Sequence, residues 1–233
     1  MVAFCQPEYL SEQQWGLMIE AIVFDMDGLL VDSEPLWQRA RIEAFGADRL
    51  RWTQADQERV MGTSTQEWAE FLTERLDHEY TPEQIIDIVV SQMEAYYHIH
   101  VPVLPGAHSV LEQLNDRYPL GLASGSSYRL INAVLQNTGW DQLFLHVLSA
   151  DDMPQGKPAP DIYEAITRRL DVLPERTAIF EDSANGILAG YAAGVKVIAV
   201  PGEYHRPAEM VLAKANRVLD TLTEFKLDML SDL

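Results

Sequence analysis

Short apolar runs, separated by stretches with helical character, are the main pattern along the chain. Three of the helical stretches are Tyr128–Gln136, Ile162–Leu170 and Ile187–Ala193. The apolar runs predict buried parallel strands: Ala21–Phe24, Leu120–Ala123, Leu145–Leu148, Ala178–Phe180 and Val195–Val200. This alternation predicts an α/β fold with a mostly parallel sheet. In such sheets, ligands bind at the carboxyl ends of the strands.

The stretch 35–103 departs from this pattern, because it carries helix signals and almost no strand signals. Ser64-Thr-Gln-Glu67 has the spacing of a capping box and predicts a helix over Trp68–Leu76. Thr81-Pro82-Glu83 supplies an N-cap, a proline at the first helical position and an acid in the first turn, which predicts a helix through about Tyr97.

These patterns predict three parts of the chain. Residues 19–34 and 104–233 form the α/β core, and residues 35–103 form a helical domain inserted directly after the first strand. Residues 1–18 are predicted to be an N-terminal extension, and Met18 is a second candidate translation start.

Composition and charge exclude several classes of protein. Of 233 residues, 47% are hydrophobic and 23% charged, which is typical of a globular protein, and no apolar run approaches the ~20 residues of a membrane helix. Residues 1–18 contain no Lys or Arg and so lack the basic start of a signal peptide. The net charge of −19 disfavours nucleic acid and anionic lipid as partners. The single cysteine, Cys5, fits a reducing compartment, so we predict a cytoplasmic protein. We also predict that it is a monomer.

Asp25-Met-Asp27-Gly28 is the strongest chemical signal, since it lies at the end of the first predicted strand. One carboxylate there could act as a nucleophile and the other as a general acid or base, with a divalent cation relieving their repulsion. Gly28 allows a tight backbone turn. The alternative is an ordinary polar turn after a strand, in which Asp and Gly are common.

Two further clusters also suit a phosphate group. Ser124-Gly125-Ser126 offers a hydroxyl and small residues where backbone N–H groups can approach a phosphate, although an N-cap for the following helix explains these residues almost as well. Lys157 lies between Gly156 and Pro158 and is one of four lysines in the chain. The alternative for Lys157 is an idle, solvated side chain.

Glu181 and Asp182 follow another predicted strand. Together with Asp25 and Asp27 they would form an all-oxygen site, which suits Mg²⁺ better than zinc or copper. The alternative is capping of the next helix by Asp182 or Ser183.

The order of these four motifs resembles that of the haloacid dehalogenase superfamily of phosphohydrolases, over about residues 19–201. The chain is most similar to the subgroup of β-phosphoglucomutase and the sugar-phosphate phosphatases, including the 2-deoxyglucose-6-phosphate type. The resemblance implies a Rossmann-like core with a small helical cap. It also implies Asp25 as the nucleophile, Asp27 as the general acid and base, and Ser124 and Lys157 as holders of the phosphoryl group. The implied Mg²⁺ ligands are Asp25, the main-chain carbonyl of Asp27, Asp182 and, directly or through water, Glu181.

Comparison with the residue patterns of individual family members narrows the set of possible reactions. Asp27 disfavours dehalogenation, because a departing halide needs no proton. The six arginines and absence of lysine within 35–103 disfavour phosphonate cleavage through a Schiff base. Trp37 occupies the position of a histidine in β-phosphoglucomutases, and Met61 and Thr65 occupy those of a cap lysine and arginine. These differences favour a phosphatase over a mutase.

Candidate substrate contacts outside the motifs are Trp37, Gly62 and Thr63, beside Gly125 and Ser126 in the core. Trp37 could equally pack between cap and core, and Gly62-Thr63-Ser64 could simply cap the following helix. The arginines Arg39, Arg41 and Arg59 could reach a polar leaving group, but arginines on helices are more often solvated.

The sequence therefore predicts a Mg²⁺-dependent phosphatase that acts on a small phosphorylated metabolite, above all a sugar phosphate, through an aspartyl-phosphate. The first alternative is a phosphosugar mutase like β-phosphoglucomutase. A phosphate-accepting signalling or binding module is a more distant alternative.

Overall fold

The structure is a computed structural model that describes residues 18–61, 63–202 and 206–233. Its centre is a six-stranded sheet in the order β3-β2-β1-β4-β5-β6, in which all neighbouring strands are parallel. The strands are β1 (Ala21–Phe24), β2 (Leu120–Ser124), β3 (His146–Ser149), β4 (Thr177–Glu181), β5 (Lys196–Ala199) and β6 (Arg217–Val218).

Ten α-helices surround the sheet in the described part of the chain. They are α1 (Glu34–Phe45), α2 (Ala47–Leu50), α3 (Gln54–Val60), α4 (Thr65–Arg75), α5 (Pro82–Ile99), α6 (Ala107–Asn115), α7 (Tyr128–Thr138), α8 (Asp161–Leu170), α9 (Ala184–Ala193) and α10 (Glu209–Leu212). No described helix combines the length and the apolar character needed to span a lipid bilayer.

The predicted fold class is confirmed, because the five predicted strands form one parallel sheet. Both faces of the sheet are covered, so β1, β2 and β4 are buried along their whole length and appear in the sequence as continuous apolar runs. On one face, Phe24 stacks on Phe180 with the ring centroids 4.8 Å apart. On the other, Val23 and Ile179 belong to a second apolar layer with Ile166. Strand β6 was not predicted, since Arg217–Val218 is short and not fully buried.

Between β1 and β2 the chain is helical, as predicted for the stretch 35–103. The helix α4 begins at Thr65, three residues before the predicted Trp68, because the Ser64–Glu67 capping box lies at its first turn. Thr81 caps α5 through a second capping box with Gln84. That residues 35–103 form a domain separate from 19–34 and 104–233 stays a prediction.

Hydrogen bonds join this helical stretch to residues at the carboxyl edge of the sheet. The Thr65 amide donates to Asp151 Oδ1 (2.8 Å), and Asn185 Nδ2 donates to the Met61 carbonyl (2.8 Å). The helices α1, α3 and α4 consequently lie above the edge at which the four sequence motifs end. The predicted extension, residues 1–18, lies outside the described residues except for Met18, which is exposed.

Candidate active site

The motif loops meet at the carboxyl ends of three adjacent strands. Asp25 directly follows β1, Ser124 is the last residue of β2, and Glu181 is the last residue of β4. Because β2, β1 and β4 are neighbours in the sheet, these ends lie side by side. The Asp25 amide donates to the Phe180 carbonyl (3.1 Å), which extends the strand pairing up to the acidic residue.

Lys157 is buried in the middle of this cluster, 1% exposed. Its Nζ donates to Asp25 Oδ1 (2.6 Å), to the Ala123 carbonyl (3.2 Å) and to Glu181 Oε1. The aromatic ring of Tyr163 lies 5.0 Å from the same nitrogen. The alternative of an idle, solvated lysine is therefore wrong. Lys157 places a positive charge beside two carboxylates inside the protein.

Burial and crowding shift the pKa values of the cluster. Burial raises the pKa of Asp25 to about 8, with further increases from Glu181 and Asp27, while Lys157 opposes the shift. Burial and the charges of Glu181 and Asp25 also raise the pKa of Asp182. Burial alone would lower the pKa of Lys157, but the carboxylates of Asp25 and Glu181 outweigh it, so its pKa lies well above its usual value. The cluster thus holds more carboxylates than the single ammonium neutralises.

The carboxylates form a group able to bind a metal ion. Oxygen atoms of Asp25, Glu181 and Asp182 all lie within 4.8 Å of one another, and all three residues are buried. Hard carboxylate oxygens fit a cation such as Mg²⁺. Glu181 has other partners as well, because Oε1 accepts from Tyr163 OH (2.5 Å) and Oε2 accepts from Ser183 Oγ (3.1 Å).

Two glycines make room for these carboxylates. Gly28 has a φ of +81°, and a Cβ there would collide with the carboxylate of Asp182. A Cβ at Gly186 would overlap the carboxylate of Glu181. Ser183 caps α9 by accepting from the Gly186 amide (3.0 Å), so the cap is Ser183 and not Asp182. Asp182 is thereby left for the acidic cluster.

Asp27 belongs to a second set of contacts. Its Oδ2 accepts from Ser124 Oγ (3.0 Å) and Ser126 Oγ (2.8 Å), and Trp37 Nε1 lies 3.5 Å from its Oδ1. The Asp27 side chain is not part of the carboxylate group around Asp182. Both hypotheses for Trp37 have support, since its ring also packs edge-on against Trp68 at 5.6 Å.

A cavity joins the two sets of contacts to the helices above them. Its lining includes the predicted site residues Asp25, Asp27, Asp182, Gly125, Ser126, Trp37 and Thr63. Gly62, also predicted, lies outside the described residues. Ser124 and Lys157 lie beneath the cavity and touch its carboxylates.

Of the three arginines considered from the sequence, only Arg41 is buried and lines the cavity. Arg39 pairs with Glu43 in solvent, and Arg59 lies over the Phe71 ring. Sequence reasoning missed Glu34 and Gln57, which also line the cavity. Glu34 stands next to Asp32 and Ser33 in the sequence, which is a weak signal, whereas nothing in the sequence marked Gln57.

The parallel sheet and the lysine-containing acidic cleft at its carboxyl edge define a Rossmann-like α/β enzyme. The chain belongs to the haloacid dehalogenase-like hydrolases, whose family model matches residues 19–194. It is 31% identical over 212 residues to hexitol phosphatase B of Escherichia coli K12, covering 88% of this chain and 94% of that protein. It is 31% identical over 181 residues to a phosphorylated carbohydrates phosphatase of Thermotoga maritima, covering 77% of this chain and 84% of that protein.

Among solved structures, CbbY from Rhodobacter sphaeroides in complex with phosphate superposes with a TM-score of 0.80. It shares 30% identity and covers 92% of this chain and 100% of that chain. The predicted family, the Rossmann-like fold class and the assignment as an enzyme of the phosphoric monoester hydrolase type are confirmed.

Proposed function

We propose that this protein is a Mg²⁺-dependent phosphatase that hydrolyses a phosphorylated sugar or polyol through an aspartyl-phosphate. The observation that carries the proposal is the buried contact of Lys157 with Asp25 inside a group of three carboxylates, at the floor of one cavity. The relatives named as hexitol and carbohydrate phosphatases support the substrate class.

In the proposed first step, a carboxylate oxygen of Asp25 attacks phosphorus, and the bond from phosphorus to the alcohol oxygen breaks. Asp27 gives its proton to the departing alcohol. Water then attacks the phosphorus of the aspartyl-phosphate, Asp27 takes a proton from that water, and Asp25 is released together with inorganic phosphate. Ser124 and Ser126, which donate to Asp27, hold its carboxylate over the cavity.

Positive charge must be supplied locally, because the protein as a whole carries −19. Lys157, Ser124 and the backbone N–H of Gly125 are proposed to hold the phosphoryl oxygens. The Ser126 N–H donates to Ser124 Oγ (3.0 Å) and so helps to position that hydroxyl. Asp25, the carbonyl of Asp27 and Asp182 would hold Mg²⁺, with Glu181 a ligand directly or through water. When bound, Mg²⁺ supplies positive charge that offsets the charge of the transferring phosphoryl group.

Residues 35–103 are proposed to act as a cap that excludes water during the reaction and opens to exchange substrate. The contacts of Thr65 with Asp151 and of Asn185 with Met61 would hold the closed form. The mutase alternative has less support, because the apolar side chain of Met61 lines the cavity where β-phosphoglucomutases carry a lysine.

Turnover of phosphomonoesters is the first test. We expect release of inorganic phosphate from glucose 6-phosphate, sorbitol 6-phosphate and p-nitrophenyl phosphate in the presence of Mg²⁺. Excess EDTA should abolish the release and added Mg²⁺ should restore it. A colorimetric phosphate assay measures both. Full activity in chelator would contradict the metal requirement, and no release from any ester would contradict the function.

The metal site can also be tested without turnover, through the pH dependence of stability. The pKa of Asp25 rises from 3.8 to about 8 in the folded, metal-free protein, so between these values the folded state holds a proton that the unfolded state has lost. The free energy of unfolding should therefore fall as pH rises from about 4 to about 8. Because Mg²⁺ competes with that proton, it should raise the melting temperature more at pH 8 than at pH 5.5.

Scanning calorimetry at both pH values, with and without MgCl₂, measures this effect. The Asp25→Asn variant should show a smaller fall in stability and a smaller response to Mg²⁺. Replacement of the exposed Asp228 by Asn is the matched control and should behave as the wild type. An equal response to Mg²⁺ in wild type and Asp25→Asn would argue against Asp25 as a ligand.

A further inference from the structure

Glu34, Arg41 and Gln57 form a hydrogen-bonded cluster in the cavity wall that the proposed reaction steps do not use. Arg41 Nη2 donates to Gln57 Oε1 (2.8 Å), and Gln57 Nε2 donates to Glu34 Oε2 (2.7 Å). Arg41 and Glu34 also approach each other directly at 3.5 Å. We call these three residues the wall cluster. All of them line the cavity that contains Asp25 and Asp27.

The wall cluster is rigidly held from the side away from the cavity. Trp52 Nε1 donates to Gln57 Oε1 (3.0 Å), and the Arg41 guanidinium lies 4.6 Å from the Trp52 ring. The Arg41 side chain is only 6% exposed. Such support fixes the polar groups in place, as recognition of a substrate requires.

The cluster has unused hydrogen-bonding capacity. The Arg41 guanidinium has five N–H donors, and its contacts with Gln57 and Glu34 are made by Nη2. Because Arg41 lines the cavity, its guanidinium can also donate to a ligand there. The Glu34 side chain is 20% exposed, so its carboxylate can accept further hydrogen bonds. A donor beside an acceptor matches a hydroxyl group, which both donates and accepts.

The charges of the residues that line the cavity determine which leaving group it can accommodate. Among the described residues that line the cavity, Arg41 is the only Lys or Arg, and the lining also includes the carboxylates of Asp25, Asp27, Asp32, Glu34 and Asp182. The positive charge of Arg41 is offset by its own partner Glu34. A second phosphate on the substrate would therefore meet no unpaired cation there, and it would lose its hydration on entering.

We infer that the wall cluster is the subsite for the leaving group, and that it selects an uncharged polyhydroxy alcohol over one that carries a second phosphate. This inference rests on the proposed function and names its substrate class. The substrate is then a monophosphate of a sugar or polyol, whose hydroxyls bond to the Arg41 guanidinium and the Glu34 carboxylate.

A pair of substrates that share one ester tests the inference. Values of kcat/KM are measured at pH 8 with Mg²⁺ for glucose 6-phosphate and for glucose 1,6-bisphosphate. We expect the wild type to prefer the monophosphate by roughly tenfold or more, which is the scale of one unpaired charge in a partly buried site.

Two variants should move this preference in opposite directions. Glu34→Gln keeps the shape of the cluster but leaves the charge of Arg41 unpaired. The ratio of kcat/KM for the bisphosphate to kcat/KM for the monophosphate should therefore rise roughly tenfold. Arg41→Gln removes the cation and leaves the Glu34 carboxylate, so the same ratio should fall below its wild-type value. If the wall cluster were merely structural, each variant would lower kcat/KM for both substrates by the same factor.

Glu43→Gln is the matched control, because it removes the same charge from the same helix at a position that pairs with Arg39 in solvent. It should leave both kcat/KM values unchanged. A wild type that prefers the bisphosphate, or variants that leave the ratio unchanged, would overturn the subsite. If p-nitrophenyl phosphate is still hydrolysed, only the subsite fails. If the wild type hydrolyses no phosphomonoester, the proposed function fails and the subsite with it.

Discussion

Asp25→Asn should reduce turnover to background. Asp27→Asn should lower the rate by a factor of about 10²–10⁴, and the size of this loss should depend on the leaving group. The two carboxylates lie in one loop, but their surroundings differ. Asp25 contacts Lys157 and lies in the group of carboxylates able to bind a metal ion. Asp27 instead accepts hydrogen bonds from Ser124 and Ser126. The first change removes the proposed nucleophile and the second removes only proton transfer.

The dependence on the leaving group follows from acidity. A sugar alcohol needs a proton in order to depart, whereas p-nitrophenolate leaves almost without one. The asparagine oxygen of Asp27→Asn can still accept from Ser124 and Ser126, so the loop should keep its shape. Phosphorylation of Asp25 by p-nitrophenyl phosphate should therefore survive in this variant, and hydrolysis of the aspartyl-phosphate should become slow.

Rapid-mixing kinetics measure the difference. We expect a pre-steady-state burst of p-nitrophenol from Asp27→Asn and none from Asp25→Asn. Circular dichroism on both variants controls for loss of fold. A burst from Asp25→Asn would show that the nucleophile is a different carboxylate.

Lys157→Met should abolish turnover and should also cost about 3–5 kcal/mol in the free energy of unfolding, as expected when one partner of a buried ion pair is removed. Lys157 is buried between Asp25 and Glu181, and methionine cannot compensate either carboxylate. The carboxylates could regain stability by taking up protons, so the loss should be larger at pH 8 than at pH 5.5.

Urea denaturation at the two pH values gives this free energy. Lys226→Met is the matched control, since Lys226 is exposed and its replacement should stay within about 0.5 kcal/mol of the wild type. An equal, small effect of both substitutions would mean that Lys157 does not neutralise the cluster.

The α/β fold class could be predicted from the sequence because its signals are local. A strand buried on both faces must be apolar along its whole length, and β1, β2 and β4 are recognisable for that reason. A capping box lies within four consecutive residues, so Ser64 and Glu67 marked the start of α4. The strand β6 lacked such a signal, because two residues at the sheet edge show no periodicity.

Part of the candidate site could also be predicted, since parallel strands bring their carboxyl ends to one edge. Asp25, Ser124 and Glu181 each follow a recognisable strand, so their proximity follows from the topology. Lys157 lies in a loop that precedes a helix, and no local rule determines whether its side chain enters the protein. Its burial depends on Asp25 and Glu181, which lie 132 and 24 residues away in the chain.

The wall of the cavity was decided by tertiary structure alone. Arg39 and Arg41 lie two residues apart on α1, yet Arg39 is exposed at Glu43 and Arg41 is buried against Gln57. The difference arises because Gln57 on α3 and Trp52 just before it pack against only one face of α1. Sequence patterns determine which residues form a helix or follow a strand. Which charged side chain is desolvated depends on the neighbours that distant segments bring to it.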